Sequence, residues 1–359
     1  MSDRATRLHN SPWSGVFYVT GGGVSFLAEM LGTAGASATV LEASVPYAEK
    51  SLADLLSRQP EQAASQATAR ALSVAAFSRA QQLGDGQLCG LGCTASLTTN
   101  REKRGQTRAY WAIHTATTTH SYTLILNNNL SRQEQEHALV EAIWQSLSND
   151  LLETSSSAIP GEVSAKHART PPPMLPLFDT TPYKYCATKA DTDLLMPGSF
   201  NPLHDGHLEL LRIAQSVTGK DGAFELAVKN ADKPAIDHLT LSERLEQFEQ
   251  PVWLTNTPNF VDKAKLFPNC TFALGIDTMV RIAQPRFYQS GETGLGQAVS
   301  DFNRLNTRFL VFGRLQDNEF LGLEDIELPD DLGALCQGVP ETTYRMDISS
   351  TDLRRLQIL

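Results

Sequence analysis

The sequence predicts a two-domain α/β protein whose second half is a doubly wound parallel sheet. Three observations carry that expectation. The chain has 359 residues, beyond the roughly 250–300 at which a single hydrophobic core stops growing. Residues 153–190 hold Ser155-Ser156-Ser157 and Pro171-Pro172-Pro173 without apolar periodicity, the composition of an inter-domain linker. From Leu194 onward short apolar runs alternate with amphipathic stretches, which implies βαβ units, right-handed crossovers and parallel strands. The expected domains are residues 14–152 and 191–359.

In the first domain, Val16 to Val19 reads as a short buried strand or helix lead-in, followed by Thr20-Gly21-Gly22-Gly23 and a helix from Val24 to Leu31. Gln62 to Leu83 is Ala-rich with helical spacing. Leu88 to Leu97 is too Gly-rich for a helix and reads as a strand running into a loop. Arg108 to Thr115 and Ser121 to Leu126 are rich in strand-forming residues. Ser131 to Leu147 reads as a helix, with Ser131 and Glu134 spaced as a capping box.

In the second domain the expected strands are Leu194 to Met196, Phe224 to Val228, Val252 to Thr255, Thr271 to Gly275 and Arg308 to Phe312. The expected helices are Gly206 to Val217, Leu241 to Gln250 with Thr240 as its cap, Phe260 to Phe267, Thr278 to Ala283 and a closing Ser349 to Leu356. Sheets of this kind bind ligands at the carboxyl ends of their strands.

The net charge of −10 and the pI near 5.3 argue against nucleic acid or an anionic membrane as partner, because both repel an acidic surface. A small anion held in one basic site stays open. No run of about 18 apolar residues marks a transmembrane span, and MSDRATRLHNSPWSG has no signal-peptide core. The five cysteines (Cys89, Cys93, Cys186, Cys270 and Cys336) are scattered. They read as reduced buried thiols of a cytoplasmic protein rather than a zinc site.

One segment concentrates chemistry: Met196-Pro197-Gly198-Ser199-Phe200-Asn201-Pro202-Leu203-His204-Asp205-Gly206-His207, between the first strand and first helix of the second domain. His204 and His207 are one helical turn apart, so both imidazoles face one site. Gly206 lets a phosphate approach the backbone, and the helix N-terminus favours an anion. Near the other end, Ser349, Ser350 and Thr351 offer hydroxyls at a second helix start, and Arg354 lies one turn in, its planar fork suited to phosphate. Two helix N-termini aimed at one triphosphate suit electrostatic catalysis without a nucleophile. Asn230, Lys233 and Arg244 are weaker candidates for the second substrate; solvated loop lysines and helix arginines are commonplace.

GSFNPLHDGH paired with ISSTDLR resembles the HxGH nucleotidyltransferase superfamily, most of all its nicotinate/nicotinamide-mononucleotide adenylyltransferase branch. Leu274-Gly275-Ile276-Asp277 is similar to that branch's strand-end Gly-x-Asp. The resemblance spans the second domain. It implies a Rossmann-like sheet and direct nucleotidyl transfer from ATP to a phosphate-bearing acceptor, with Mg²⁺ accompanying the ATP. It assigns charge stabilisation to His204, His207 and Arg354. Nucleotide binding falls to Gly198, Ser199, Phe200, Asn201, Gly206, Gly275, Asp277, Ile348, Ser349, Ser350 and Thr351. No protein-bound metal is implied. A cytidylyltransferase with another acceptor, or a non-catalytic nucleotide-binding regulator, is the alternative.

In the first domain, Thr20-Gly21-Gly22, Ala34-Gly35-Ala36-Ser37, Tyr47 with Lys50, and Gly90 to Ser96 resemble the C-terminal domain of the CinA family. That family hydrolyses the amide of nicotinamide mononucleotide with a Ser in Glu-Ser-Cys-Thr-Gly-Gly. Here Tyr18 stands at the Ser position, so amidase activity is not expected; Thr20 or Ser25 is a candidate relocated nucleophile. The resemblance implies a retained scaffold that binds nucleotide or mediates oligomerisation, a homodimer being one form.

Overall fold

The computed structural model describes residues 3–99, 105–152, 161–188, 192–229, 236–316 and 319–343. The chain divides into two compact units: Met1–Leu175 with Asp232–Ser242, and Pro176–Ala231 with Glu243–Leu359.

Unit 1 is built on six strands: β1 (Trp13–Thr20), β2 (Val40–Ser44), β3 (Gln87–Ser96), β4 (Thr107–Thr115), β5 (Thr118–Leu126) and β6 (Glu162–Arg169). They lie in the order β2-β1-β3-β4-β5-β6. β2, β1 and β3 are parallel, and β3 to β6 form an antiparallel meander. In β1, Phe17 and Val19 enter a core under the helices Val24–Leu31 and Arg132–Leu151. Val16 and Tyr18 enter a second core with Leu72, Ala76 and Ala80 of the helix Gln66–Leu83. This is the two-residue alternation of a strand covered on both faces.

The Gly-rich run in β3 has a packing cause. A Cβ on Gly90 would lie 2.2 Å from Phe77 N and Ser73 O, and one on Gly92 would lie 2.4 Å from Ala69 O and Ser73 N. The helix Gln66–Leu83 therefore rests its backbone directly on the strand. The Ser131–Glu134 capping box forms as expected.

The segment read as a linker is largely structured. β6 pairs with β5 along its whole length, and Leu177 in the 3-10 turn Pro172–Phe178 is fully buried. β6 has an exposed, polar pattern, as edge strands do, so no apolar alternation announces it. The first domain also begins before residue 14: the helix Asp3–His9 buries Ala5 and Leu8 in the core.

Unit 2 adds β7 (Lys184–Tyr185), β8 (Leu194–Gly198), β9 (Gly222–Ala227), β10 (Val252–Thr255), β11 (Thr271–Gly275), β12 (Arg308–Phe312), the hairpin β13 (Arg314–Gln316) and β14 (Glu319–Leu321), and β15 (Cys336–Val339). The main sheet runs β15-β12-β11-β8-β9-β10-β7. All neighbours are parallel except β7, antiparallel to β10. This is the expected doubly wound sheet. From β8 the chain winds outward through β9 and β10, then returns to β11 on the other side. Thr240 does not cap the next helix as expected; Asp237 does, its Oδ1 accepting the Thr240 N–H at 2.9 Å. The closing helix Ser349 to Leu356 lies outside the described residues.

Among the described residues no helix is long and apolar enough to cross a membrane. Cys89, Cys93 and Cys270 are buried and free, whereas Cys186 and Cys336 are only half-buried. Burial pushes the Cys89 and Cys270 thiols up to about 12, which keeps them protonated and unreactive.

The close approach at β3 generates a prediction. Gly92→Ala should destabilise the fold by about 2–3 kcal/mol, because both backbones must move. A urea-unfolding midpoint equal to wild type would show that helix and strand separate freely.

Candidate functional site

The winding of unit 2 reverses between β8 and β11, and an α/β sheet opens a crevice at that switch point. The two strands pair only at Leu194↔Thr271 and Leu195↔Phe272. β8 instead follows β9 as far as Gly198↔Leu226. The loop carrying the histidine pair leaves the carboxyl end of β8, and Gly275 and Asp277 leave that of β11.

His204 is the N-cap residue of the helix Asp205–Thr218, in extended conformation. His207 follows in the first turn, its N–H donating to the His204 carbonyl at 2.8 Å. The rings stack with centroids 3.8 Å apart at 29°. The His204 backbone N–H donates to His207 Nδ1 at 3.3 Å. Because Nδ1 accepts, neutral His207 carries its proton on Nε2 and presents that N–H as a donor. Burial, and then the neighbouring imidazole, push His207 down to about 4. Burial lowers His204 too, against the pull of Asp205. The pair is thus two neutral rings at a helix start, where the dipole favours an incoming anion. His204 Nδ1 is buried and makes no hydrogen bond.

The turn beneath them is aromatic. Phe200 has φ +41° and folds its ring back under β8, so a Cβ on Gly198 would meet that ring at 2.5 Å. The ring is buried. It meets His207 edge-on at 5.0 Å, Phe224 at 5.1 Å and Phe248 at 5.2 Å. Phe200 was expected to bind nucleotide; its ring is buried behind His207. Gln247 braces the loop, its Oε1 accepting the Leu203 N–H at 2.9 Å and its Nε2 donating to the Phe200 carbonyl at 3.4 Å. Gln247 and Phe248 carry no sequence signal, since they sit in an ordinary amphipathic stretch.

Ser199 is half-buried, Asn201 exposed and Gly206 buried within the same turn. Gly275 and Asp277 are exposed at the start of the helix Ile276–Ile282. Asp277 pairs with Arg314 at 3.0 Å, an arginine not singled out in the sequence. Arg244 is half-buried in the last turn of the helix His238–Leu245. Asn230, Lys233, Ile348, Ser349, Ser350, Thr351 and Arg354 lie outside the described residues. Among the described residues, no three His, Cys, Asp or Glu side chains converge as a metal site.

Unit 1 has cavities around the loop after β1. One of about 440 Å³ is bordered by Gly22, Ser25, Arg132, Glu136 and His137. Another of about 740 Å³ is bordered by Thr20, Gly21, Glu49, Glu61 and Thr94, with Tyr47 on both. The Tyr18, Thr20 and Thr94 hydroxyls on and near this loop are engaged. Tyr18 donates to Glu42 at 2.9 Å, and burial followed by that carboxylate raises its phenol well above the usual range. Burial opposes charge on Glu42, but Arg79 and Tyr18 outweigh it and hold its carboxyl low, which makes it a weak base. Thr20 donates to the Pro46 carbonyl at 3.0 Å. Lys50 lies on exposed Asp54 at 3.0 Å. The N-terminus of Val24–Leu31 already holds an anion: Glu136 accepts from Gly23 N at 2.8 Å and Ser25 N at 3.0 Å.

A family model described as Cytidylyltransferase-like matches residues 195–356, from β8 onward. The second half of the chain is a nucleotidyltransferase domain. Among solved structures the chain is similar to the competence/damage inducible protein CihA from Agrobacterium tumefaciens, with 17% identity and TM-score 0.36 over 41% of this chain and 93% of that one. It is similar to the competence damage-inducible protein A (ComA) from Klebsiella pneumoniae, with 14% identity and TM-score 0.36 over 43% and 98%. It is also similar to a competence-damaged protein (CinA) superfamily protein from Escherichia coli, with 14% identity and TM-score 0.29 over 39% and 87%. No curated protein matches the chain.

The histidine pair of the nucleotidyltransferase domain generates a pH prediction. The folded His207 value of about 4 lies below the ordinary 6.5, so between these pH values the unfolded chain binds a proton that the folded chain refuses. Its stabilising contribution is complete above pH 6.5 and disappears as pH falls towards 4. In His207→Asn the fall of Tm across that window should be shallower than in wild type. Superimposable Tm-against-pH curves would refute a depressed His207.

Proposed function

We propose that the nucleotidyltransferase domain transfers AMP from ATP to a pyridine mononucleotide, nicotinamide or nicotinate mononucleotide, and releases pyrophosphate. The observation that carries the transfer chemistry is the stacked, neutral His204–His207 pair at a helix start on the switch point of the sheet. The choice of ATP and of a pyridine acceptor rests on the motif resemblance of GSFNPLHDGH and ISSTDLR.

In the reaction an oxygen of the acceptor phosphate forms a bond to the α-phosphorus of ATP. The bond from that phosphorus to the α,β-bridging oxygen breaks, and its electron pair leaves with pyrophosphate. No covalent enzyme intermediate forms. The His207 Nε2–H and the N–H groups of the first helical turn donate to triphosphate oxygens and to the charge growing on the leaving group. Asp277 suits nucleotide hydroxyl groups. Mg²⁺ belongs to the triphosphate substrate, neutralising part of its charge. A cytidylyl donor is the second reading, favoured by the family model's description. For unit 1, the engaged Tyr18 and Thr20 hydroxyls and the anion-filled helix N-terminus support a binding scaffold rather than an amidase.

The test is pyrophosphate release with Mg²⁺ and ATP or CTP, across nicotinamide mononucleotide, nicotinate mononucleotide, phosphopantetheine and glycerol-3-phosphate. Release is expected with ATP and a pyridine mononucleotide, falling on the order of 10²–10³-fold in His207→Ala. Release with CTP alone would replace the reading with a cytidylyltransferase. ATP binding without release for any acceptor would replace it with a regulator.

A further inference from the structure

Residues 236–242 lie in sequence between β9 and β10 of unit 2, yet they are part of unit 1. Ile236, Asp237, His238, Leu239 and Leu241 are all buried there. The anchor is polar and specific. Arg70, on the helix Gln66–Leu83, forks onto the Asp237 carboxylate, with Nε 3.1 Å from both oxygens and Nη2 2.9 Å from Oδ1. Arg70 also donates to the Thr240 hydroxyl. Asp237 in turn accepts from the Thr240 N–H at 2.9 Å and its hydroxyl at 2.6 Å.

His238 is gripped beside it. Its Nε2–H donates to the Thr115 carbonyl at 3.1 Å, its Nδ1 accepts from the Thr170 hydroxyl at 2.6 Å, and its backbone N–H donates to Thr119 Oγ1 at 3.1 Å. Its ring stacks on His114 at 4.8 Å. A buried fork of this kind fixes one geometry, because a shifted arrangement would leave a charge without its partner.

The helix that begins here, His238–Leu245, continues past Ser242 into residues of unit 2. Its closing turn leads into Gln247 and Phe248, whose N–H groups donate to the Arg244 and Leu245 carbonyls. Those two side chains brace the histidine loop, Gln247 on Leu203 and Phe248 on Phe200. We infer that Arg70 and Asp237 are positioning residues for the nucleotide site: their ion pair fixes the start of a helix whose following turn, through Gln247 and Phe248, braces the His204–His207 loop. The functional consequence rests on the nucleotidyltransferase reading; the effect on the loop does not.

The test uses the full chain. Arg70→Met alone leaves Asp237 buried without its counter-charge, which is strongly destabilising, so it is paired with Asp237→Asn, which removes the charge and keeps a good N-cap residue. In the double variant, amide exchange at Leu203, His204 and His207 of the unliganded protein should accelerate about tenfold or more. The ATP dissociation constant should rise about tenfold, with a fall in kcat for pyrophosphate release from the misplaced loop. Gln247→Leu should accelerate the same amides, and adding it to the double variant should give little further change. Wild-type exchange in the double variant, or effects of the two perturbations that simply multiply, would overturn the inference. Should the wild-type protein neither bind nor turn over ATP, the functional reading falls while the exchange experiment still decides this one.

Discussion

The site depends on one steric arrangement: the Phe200 ring folded back beneath Gly198. With any side chain at position 198 the ring would be displaced. Its removal would take away the wall that meets His207, Phe224 and Phe248 at once. The turn is what lets a strand end and a helix start so close together, with both imidazoles stacked at the helix start. The aromatic wall also buries His207, and burial is the first cause of its low proton affinity. Packing and electrostatics at this site are therefore one constraint, since whatever loosens the wall also makes the imidazole easier to protonate.

The two units meet the same architectural problem in opposite ways. Each has a central strand with parallel neighbours on both sides, β1 in unit 1 and β8 in unit 2, and in each a helix starts just after it. In unit 2 that start holds two neutral hydrogen-bonding rings, with the exposed Asp205 beside them. In unit 1 it holds the Glu136 carboxylate, bonded to Gly23 and Ser25. A phosphate or oxyanion arriving there would have to displace a charge already favoured by the helix dipole.

The parts of the fold written in local pattern were legible. The bounds of β10, β11 and β12 coincide with the expected strands, because strands buried on both faces are short continuous apolar runs. β6 and β7 escaped notice because an exposed edge strand and a two-residue strand have no pattern to read. The placement of His204 and His207 one turn apart at a helix start was legible from their spacing. Gln247, Phe248 and Arg314 were not, because their value comes from contacts distant along the chain. The Gly-rich stretch of β3 was noticed but its cause lay elsewhere: the glycines admit the backbone of a helix that ends before the strand begins. The packing of the Phe200 ring was not legible either, since a motif records which residues recur and not which way they point.

Neutral imidazoles suit the proposed chemistry better than fixed cations. A lysine or arginine pair would attract the triphosphate and the departing pyrophosphate alike, strengthening ground states as much as the transition state. An imidazole pushed down to about 4 gives a modest hydrogen bond to a bound phosphate at neutral pH. As negative charge builds on the leaving group, the Nε2–H bond strengthens and proton affinity rises, so the interaction grows where the reaction needs it. The stacked neighbour reinforces this. With rings 3.8 Å apart, two protons repel, so at most one imidazole gains charge readily and the pair tracks a change in substrate charge rather than its total.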